Sequence, residues 1–408
     1  MKSEVELAEV ITDIAAGPFG SNLKVSCFVP SGFPIIDGAN LKGLKVTDNL
    51  TKFVTEEKAR SLSRSIARRG DVVVTISGTI GQIAYIPEDS MYEEYLCSQR
   101  QFKVTFDSTK VYVPYLVFYF HTREGQGKIL AFANQTGVPA LAQPTKNFKK
   151  IRMPLPSLEQ QKRISSIAEL LTSKIEVNAK LNGYLEDTIK TQFNALKQAS
   201  NWRLARADEL FEIGIGKTPP RKEPEWFADN PTGNVVWLSI KDMGEPGAYS
   251  FDSSEYLTPQ AVKEKNVRRV PKGSVLLSFK LTVGRVKIAA VDMTTNEAIA
   301  CFASDDPKRI AYLYPFLLAF DYNKLGSTSS IATAVNSKTI KSMTIAMPDD
   351  GTLAAFYTST KPLYEALMNN MQESMSLKAL RDTLLPKLMS GEIDVSKVDL
   401  KQINSHLA

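Results

Sequence analysis

The chain has 408 residues, 43% of them hydrophobic and 23% charged, a composition that can bury sizeable cores and excludes an intrinsically disordered chain. At roughly 100 to 200 residues per domain, this length predicts two or three domains. Fifty basic against 44 acidic residues leave a formal charge of +6, a mild bias toward polyanionic partners.

The N-terminus, MKSEVELAEV, has no apolar signal core. The longest apolar runs, Val111 to Phe120 and Ile310 to Phe320, are about half a membrane span, so a soluble, cytoplasmic protein with no membrane partner is expected. Cys27, Cys97 and Cys301 lie far apart without a CxxC pair, which disfavours a disulfide framework or a zinc site. His121 and His406 are isolated, so no metal cluster or histidine-based catalytic group is visible.

Comparing the chain with itself reveals a repeat. Phe53-Val-Thr-Glu, Arg68-Arg-Gly-Asp-Val-Val-Val and Ile80-Gly-Gln-Ile-Ala align with Tyr256-Leu-Thr-Pro, Val270-Pro-Lys-Gly-Ser-Val-Leu-Leu and Val283-Gly-Arg-Val-Lys at an offset of 203. The shared pattern is strand, turn, strand. Tyr112 to Phe120 then matches Tyr312 to Phe320 at an offset of 200, and Ile151 to Pro156 matches Met343 to Pro348 at 192. A stepwise drift with the order kept is what loop insertions around a retained scaffold produce. Tyr115, Phe118, Phe316 and Phe320 recur at helical spacing and are expected in the cores.

A different kind of segment follows each copy. Residues 158–198 contain no Pro and one Gly, and Ile164, Ile167, Leu171, Ile175, Leu181, Leu185, Ile189, Phe193 and Leu196 recur at three and four, predicting one long amphipathic helix. Residues 352–389 repeat this with Phe356, Leu363, Leu367, Met371, Met375, Leu380, Leu384 and Leu388, where Pro362 should start or kink the helix. Helices of 35 to 40 residues span some 50 to 60 Å and must pack against another helix. Asn178 and Asn182 fall on the apolar face, where they either are buried, fixing register or leaving room for a partner, or mark a locally solvated stretch. Residues 1–155 carry 19 basic and 15 acidic groups (+4) and 201–347 carry 19 and 16 (+3), so the excess positive charge lies in the globular copies.

Catalytic signatures are missing. Gly214-Ile-Gly-Lys-Thr218 resembles the end of a phosphate-binding loop, but Phe stands at 211 where Gly is required, and Pro219-Pro220 replaces the helix start. There is no GxSxG, no HExxH, no dinucleotide fingerprint and no Asn/Asp-Pro-Pro-aromatic tetrad of adenine methyltransferases.

Gly17-Pro-Phe-Gly-Ser-Asn-Leu-Lys24, Ser77-Gly-Thr-Ile-Gly81, Gly216-Lys-Thr-Pro-Pro-Arg221 with Trp237, Met153-Pro-Leu-Pro-Ser-Leu-Glu-Gln-Gln161 and Leu380-Arg-Asp-Thr-Leu-Leu-Pro-Lys-Leu-Met-Ser-Gly-Glu-Ile393 stand in order around the repeat. In these the sequence resembles the specificity (S) subunits of type I restriction-modification systems, over essentially the whole chain. Asp349-Asp-Gly-Thr-Leu353 and Pro362 depart from the pattern and leave the start and straightness of the second helix open. The resemblance implies an α+β fold in which two α/β target recognition domains, 1–155 and 201–347, are separated by antiparallel coiled-coil helices, 156–200 and 348–395, in a pseudo-two-fold arrangement with a tail at 396–408. It implies that each domain reads one half of a bipartite double-stranded DNA site, and that the helices set the spacer and dock two methyltransferase subunits. A non-catalytic chain is implied, with S-adenosylmethionine, ATP and Mg on methyltransferase and restriction partners that methylate adenine-N6 and cleave DNA.

Phosphates want cations, and base edges want bidentate or hydroxyl groups. The expected DNA contacts are therefore Ser21, Asn22, Lys24, Asn40, Lys42, Thr79, Gln82 and Lys146 in the first copy, and Lys217, Thr218, Arg221, Lys241, Lys280, Thr282, Arg285 and Lys338 in the second. Ile164, Leu171, Ile175, Leu185, Ile189, Leu367, Met371 and Leu384 are expected at the helix and partner interface. Two other classes remain open: an enzyme with a divergent methyltransferase or nuclease site, which would methylate or cut DNA without a partner, and a helical scaffold whose globular copies bind protein.

Overall fold

The computed structural model describes residues 4–134, 137–196, 202–325 and 335–407. Two compact units emerge, one formed by Met1–Lys174 with Leu377–Ala408 and the other by Ile175–Ser376, so both boundaries fall inside the long helices. Residues 197–201, where the first long helix was expected to end and the second copy to begin, and the side chain of His406 lie outside the described residues.

In the first unit a four-stranded antiparallel sheet has the order Ile11–Ala16, Gln101–Phe106, Val72–Thr75, Ile83–Tyr85. A second sheet runs Phe53–Val54, Phe33–Ile36, Glu94–Cys97, Ile66–Arg68, with its central pair parallel. The second unit contains the same two orders: Glu212–Ile215, Ile299–Ala303, Val275–Ser278, Val286–Ala289, and Tyr256–Leu257, Val235–Leu238, Met293–Thr295, Arg269–Val270. Each second-unit sheet gains one edge strand, Tyr249–Ser250 on the first and Phe227–Ala228 on the second. A shared strand order, including the parallel pair, is strong physical evidence that the two copies are one fold.

The uninterrupted apolar runs at the strand centres follow from burial on both faces. Val72 and Val74 enter the core with Phe102, Tyr115 and Phe120, whereas Val73 enters another with Ile36, Ala84 and Tyr95. Val275 and Leu277 likewise part from Leu276. Strand starts are set by turns at Gly70 (φ +83°) and Gly273 (φ +87°), a left-handed conformation that glycine adopts without steric cost. Thr55 and Thr258 cap equivalent short helices, each hydroxyl accepting from the backbone N–H three residues on. The apolar runs form buried helices, Val113–His121 and Pro307–Leu318. Tyr115 and Phe118 are fully buried there, while Phe316 and Phe320 pack half-buried against their core.

The predicted long helices are continuous, Leu158–Leu196 and Asp350–Ser390. The second begins at Asp350, capped by the Asp349 carboxylate accepting from Thr352 N–H (2.9 Å), and runs through Pro362 without a break; proline is not its start. Within each unit the two helical stretches are antiparallel. In the first unit Arg163 donates to the carbonyls of Val395 (2.7 Å) and Val398 (2.7 Å), and Ile164, Ile167 and Ala168 share a core with Leu385, Leu388 and Met389. In the second unit Asn178 donates to Glu373 (2.6 Å), Asn370 donates to Asn182 (3.0 Å), and Gln192 accepts from Ser359 (2.8 Å).

Those bonds decide between the two readings of the asparagines: Asn178 is 3% and Asn182 7% exposed, so they form a buried polar layer and not a solvated stretch. Of the expected interface residues, Ile164, Leu171, Ile189 and Leu367 are buried and Ile175, Leu185, Met371 and Leu384 are half-buried. The periodicity misplaced Leu181, Met375 and Leu380, which are 43%, 42% and 47% exposed. An apolar stripe wider than one partner helix leaves its margins in solvent.

Candidate nucleic-acid interface

Four loops of the first copy meet at one end of its sheets: 17–24, 37–42, 75–82 and 98–101. They meet because the backbone approaches closely. Gly17 N–H donates to Gln101 carbonyl (2.8 Å), and a Cβ on Gly17 would stand 1.9 Å from Ser98 O, so only glycine fits. Ser98 N–H in turn donates to Ile36 carbonyl (3.0 Å) at the end of the parallel strand pair. Gln82 ties two loops, donating to Gly38 carbonyl (3.1 Å) while its oxygen accepts from Thr75 (3.1 Å), and Gln99 donates to the carbonyls of Gly20 and Leu23.

Between these loops opens a cleft of about 690 Å³. Leu23, Val25, Phe28 and Ile35 supply apolar lining; Ser77, Thr79, Gln82, Gln99, Arg100 and Gln101 supply donors and acceptors. Asp37, also in the lining, is ion-paired to Lys52 (2.6 Å). Burial opposes its charged form, but the hydrogen bonds from Lys52 and Ala39 prevail and hold the carboxyl below the ordinary value. Arg100 is exposed, and its guanidinium has no hydrogen-bond or ion-pair partner among the described residues. A free guanidinium beside amides and hydroxyls suits base edges and phosphates.

The second copy reproduces the scaffold with other chemistry. Gly216 N–H donates to Ile299 carbonyl (3.1 Å), a Cβ there would meet Asn296 O at 2.2 Å, and Asn296 N–H donates to Leu238 carbonyl (3.0 Å). The glycines opening Gly17-Pro-Phe-Gly and Gly216-Lys-Thr-Pro thus do one job. At the place of Gln99, however, stands Glu297, which accepts from the Thr218 hydroxyl, and at the place of Arg100 stands Ala298. Arg221 makes a bidentate pair with Glu255 (2.7 and 2.9 Å) while stacked 4.3 Å from the Phe227 ring and 4.8 Å from Trp237. That hydrogen bond holds the Glu255 carboxyl below its ordinary value. The phosphate-loop resemblance dissolves here, because Glu212–Ile215 is a strand in the sheet and Lys217 donates to Lys265 carbonyl (2.6 Å).

The expected DNA-contact residues divide accordingly. Ser21, Asn22, Lys24, Lys42 and Thr79 are exposed on the first copy's converging loops, as are Lys241, Lys280 and Thr282 on the second's. Asn40 is corrected: it is 4% exposed, and its amide donates to Thr47 and Asn49 carbonyls (3.2 and 3.1 Å) while its oxygen accepts from Asp37 N–H (3.0 Å). It builds the loop from within. Gln82, Lys217, Thr218, Arg221 and Arg285 are likewise held by intramolecular bonds, Arg285 to Ile240 carbonyl (2.6 Å). Lys146 is exposed on the helix Pro144–Lys149, whose Thr145 lines a neighbouring hollow with Asn22, and Lys338 is exposed on the helix Ser337–Lys341. Gln99 and Arg100 were missed, because a Ser-Gln-Arg-Gln stretch beside a strand carries no local mark; the glycine spacing that brings it against the first loop is the signal that was available. Cys97, directly before it, is fully buried, and burial pushes its thiol up to about 12, which removes it as a nucleophile.

Comparison with known proteins bears on the family and the fold. The family model described as type I restriction modification DNA specificity domain matches twice, at residues 30–187 and 199–352. The type I restriction enzyme MjaIX specificity subunit of Methanocaldococcus jannaschii is 22% identical over 370 residues, covering 85% of this chain and 82% of that protein. The HindI specificity subunit of Haemophilus influenzae is 26% identical over 196 residues, 47% of this chain and 42% of that one. Among solved structures, the type I restriction-modification S subunit from M. genitalium superposes with a TM-score of 0.54 at 15% identity, covering 95% of this chain and 96% of the other, which supports the fold. With its recognition-domain scaffold present twice and both copies matched by the family model, the chain belongs to the specificity subunits of type I restriction-modification systems.

Proposed function

We propose that each recognition domain reads one half of a bipartite double-stranded DNA site through its four-loop end, and that the long helices dock methyltransferase subunits. The observation carrying this reading is the pairing of a constant scaffold with changed loop chemistry. The glycine contacts, the strand order and the parallel pair recur, while Gln99 and Arg100 give way to Glu297 and Ala298. Selection that keeps the frame and varies the exposed polar groups is what two different half-sites require. Phosphates position the protein through Lys24, Lys42, Lys241 and Lys280, and the cleft groups read bases.

For the partner face, Val177, Leu181 and Tyr184 form a stripe at helical spacing that is 56%, 43% and 71% exposed. An apolar stripe left open on a helix already paired on its other side fits a further helix of a partner subunit. S-adenosylmethionine, ATP and Mg belong to methyltransferase and restriction partners, and this chain supplies the address in a cytoplasmic complex that methylates adenine-N6 and cleaves DNA. No helix among the described residues is long and apolar enough to cross a membrane.

The test exchanges residues 201–347 for the matching domain of a relative and sequences modified bases in cells that express the variant with its partners. One half of the methylated motif should change and the other persist. A change in both halves, or no motif in the parent strain, refutes the reading.

A further inference from the structure

The hairpin between strands Val275–Ser278 and Val286–Ala289 ends in an arrangement the recognition fold does not need. Leu281 at its tip has φ +63° and is 93% exposed. A left-handed leucine is unfavourable, and water gives its side chain nothing in return. The equivalent residue in the first copy, 203 positions earlier, is Gly78 (φ +88°), so the turn itself is served by glycine. Among the described residues, the other two left-handed non-glycine residues, Gln143 and Asn266, are polar.

The tip is also stapled. Ser278, fully buried, receives Arg285 N–H on its hydroxyl (3.0 Å) and donates that hydroxyl to Thr282 carbonyl (2.5 Å), while Gly284 N–H donates to Ser278 carbonyl (3.0 Å). The leucine is therefore presented on a rigid mount. Lys280 and Thr282 flank it, both exposed, and Arg285 at the base of the tip is bonded to Ile240 carbonyl beside Lys241. An apolar side chain held proud among cations at the candidate DNA end matches a surface that is anionic at its rim and apolar between its stacked planes, which is a base-pair step of duplex DNA.

We infer that Leu281 is a wedge that enters between two base pairs of the half-site read by the second copy and partly unstacks them. This rests on the DNA reading proposed above and adds to it a deformation of the DNA at one step. Part of that copy's specificity then comes from how readily the step opens, not from hydrogen bonds. The first copy, with Gly78 in that place, does not wedge there.

The test uses the chain assembled with its methyltransferase subunits and duplexes of the methylated motif carrying 2-aminopurine at successive positions. The wild-type complex should raise 2-aminopurine fluorescence several-fold at one step in one half-site. Leu281→Gly should melt no lower than the wild type, lose that rise and bind the motif at least about fivefold more weakly, with affinity for unrelated DNA unchanged. Leu281→Met should retain the signal. A Leu281→Gly complex with wild-type affinity and fluorescence overturns the wedge. So does loss of subunit assembly with unchanged fluorescence per bound complex, which assigns the leucine to a protein contact. A wild-type complex that binds motif and scrambled duplexes alike overturns the DNA reading itself.

Discussion

Adding one methyl group at Gly17 should damage the reading of a single half-site. In Gly17→Ala the new carbon would lie 1.9 Å from Ser98 O and 2.8 Å from Ser98 C, both backbone atoms that cannot turn aside. Restoring ordinary contact near 3.4 Å requires the 17–24 loop to retreat by roughly 1.5 Å. Overpacking of this kind costs about 1 to 3 kcal/mol of stability. The retreat also breaks the Gly17 N–H bond to Gln101 and the Gln99 bonds to Gly20 and Leu23, displacing Leu23 from the cleft wall and shifting the exposed Ser21, Asn22 and Lys24 beside it. Losing one well-placed base contact costs about 1 to 3 kcal/mol, or roughly 5- to 150-fold in affinity. Gly43→Ala is the control, since a Cβ there meets nothing within 4 Å although the loop carries exposed Lys42. The assay pairs thermal melting of the assembled complex with binding to duplexes altered in one half-site at a time. Gly17→Ala should bind duplexes mutated in the first half-site almost as well as the intact motif, while still rejecting changes in the second. Full discrimination of both halves together with an unchanged melting temperature would refute the claim that glycine is there for close approach.

Leu171→Ala, at a position 3% exposed, should cost on the order of 2 to 5 kcal/mol by chemical denaturation, and half-buried Leu185→Ala distinctly less; equal losses would contradict the helix pairing. Leu181→Ser, on the exposed stripe, should leave unfolding unchanged within about 0.5 kcal/mol yet weaken capture of the methyltransferase subunit in a pull-down; unchanged capture argues against that face. Burial disfavours the charged form of Lys287, whose ammonium donates to Glu245 and Gly247 carbonyls, and so holds its pKa below the usual 10.5. Between that lowered value and 10.5 the unfolded chain binds the extra proton, so wild-type stability should rise with pH relative to Lys287→Met across this interval and run parallel below it. Denaturation curves for the two proteins from pH 7 to 10.5 that stay parallel throughout would show that Lys287 is not desolvated.

The recurrence of Gly70 and Gly273, of Thr55 and Thr258, and of the apolar triplets Val72–Val74 and Val275–Leu277 was legible in the amino-acid order because each reports a local demand. A left-handed turn needs glycine, a helix start needs a hydroxyl, and a strand buried on both faces needs consecutive apolar residues. The long helices were legible for the same reason, since periodicity over some forty residues leaves few alternatives. Local rules could not say which polar residue is free. Asn40 and Arg100 both look like surface groups in a loop, and only the fold surrounds the first with carbonyls while leaving the second open in the cleft. Nor could periodicity tell Leu171 from Leu181, because which rows of a helix meet its mate depends on the crossing of two segments some two hundred residues apart. Sequence determined the elements and their repetition, through forces acting within a few residues; tertiary structure decided exposure, pairing and the meeting of four loops, because those depend on contacts between residues distant along the chain.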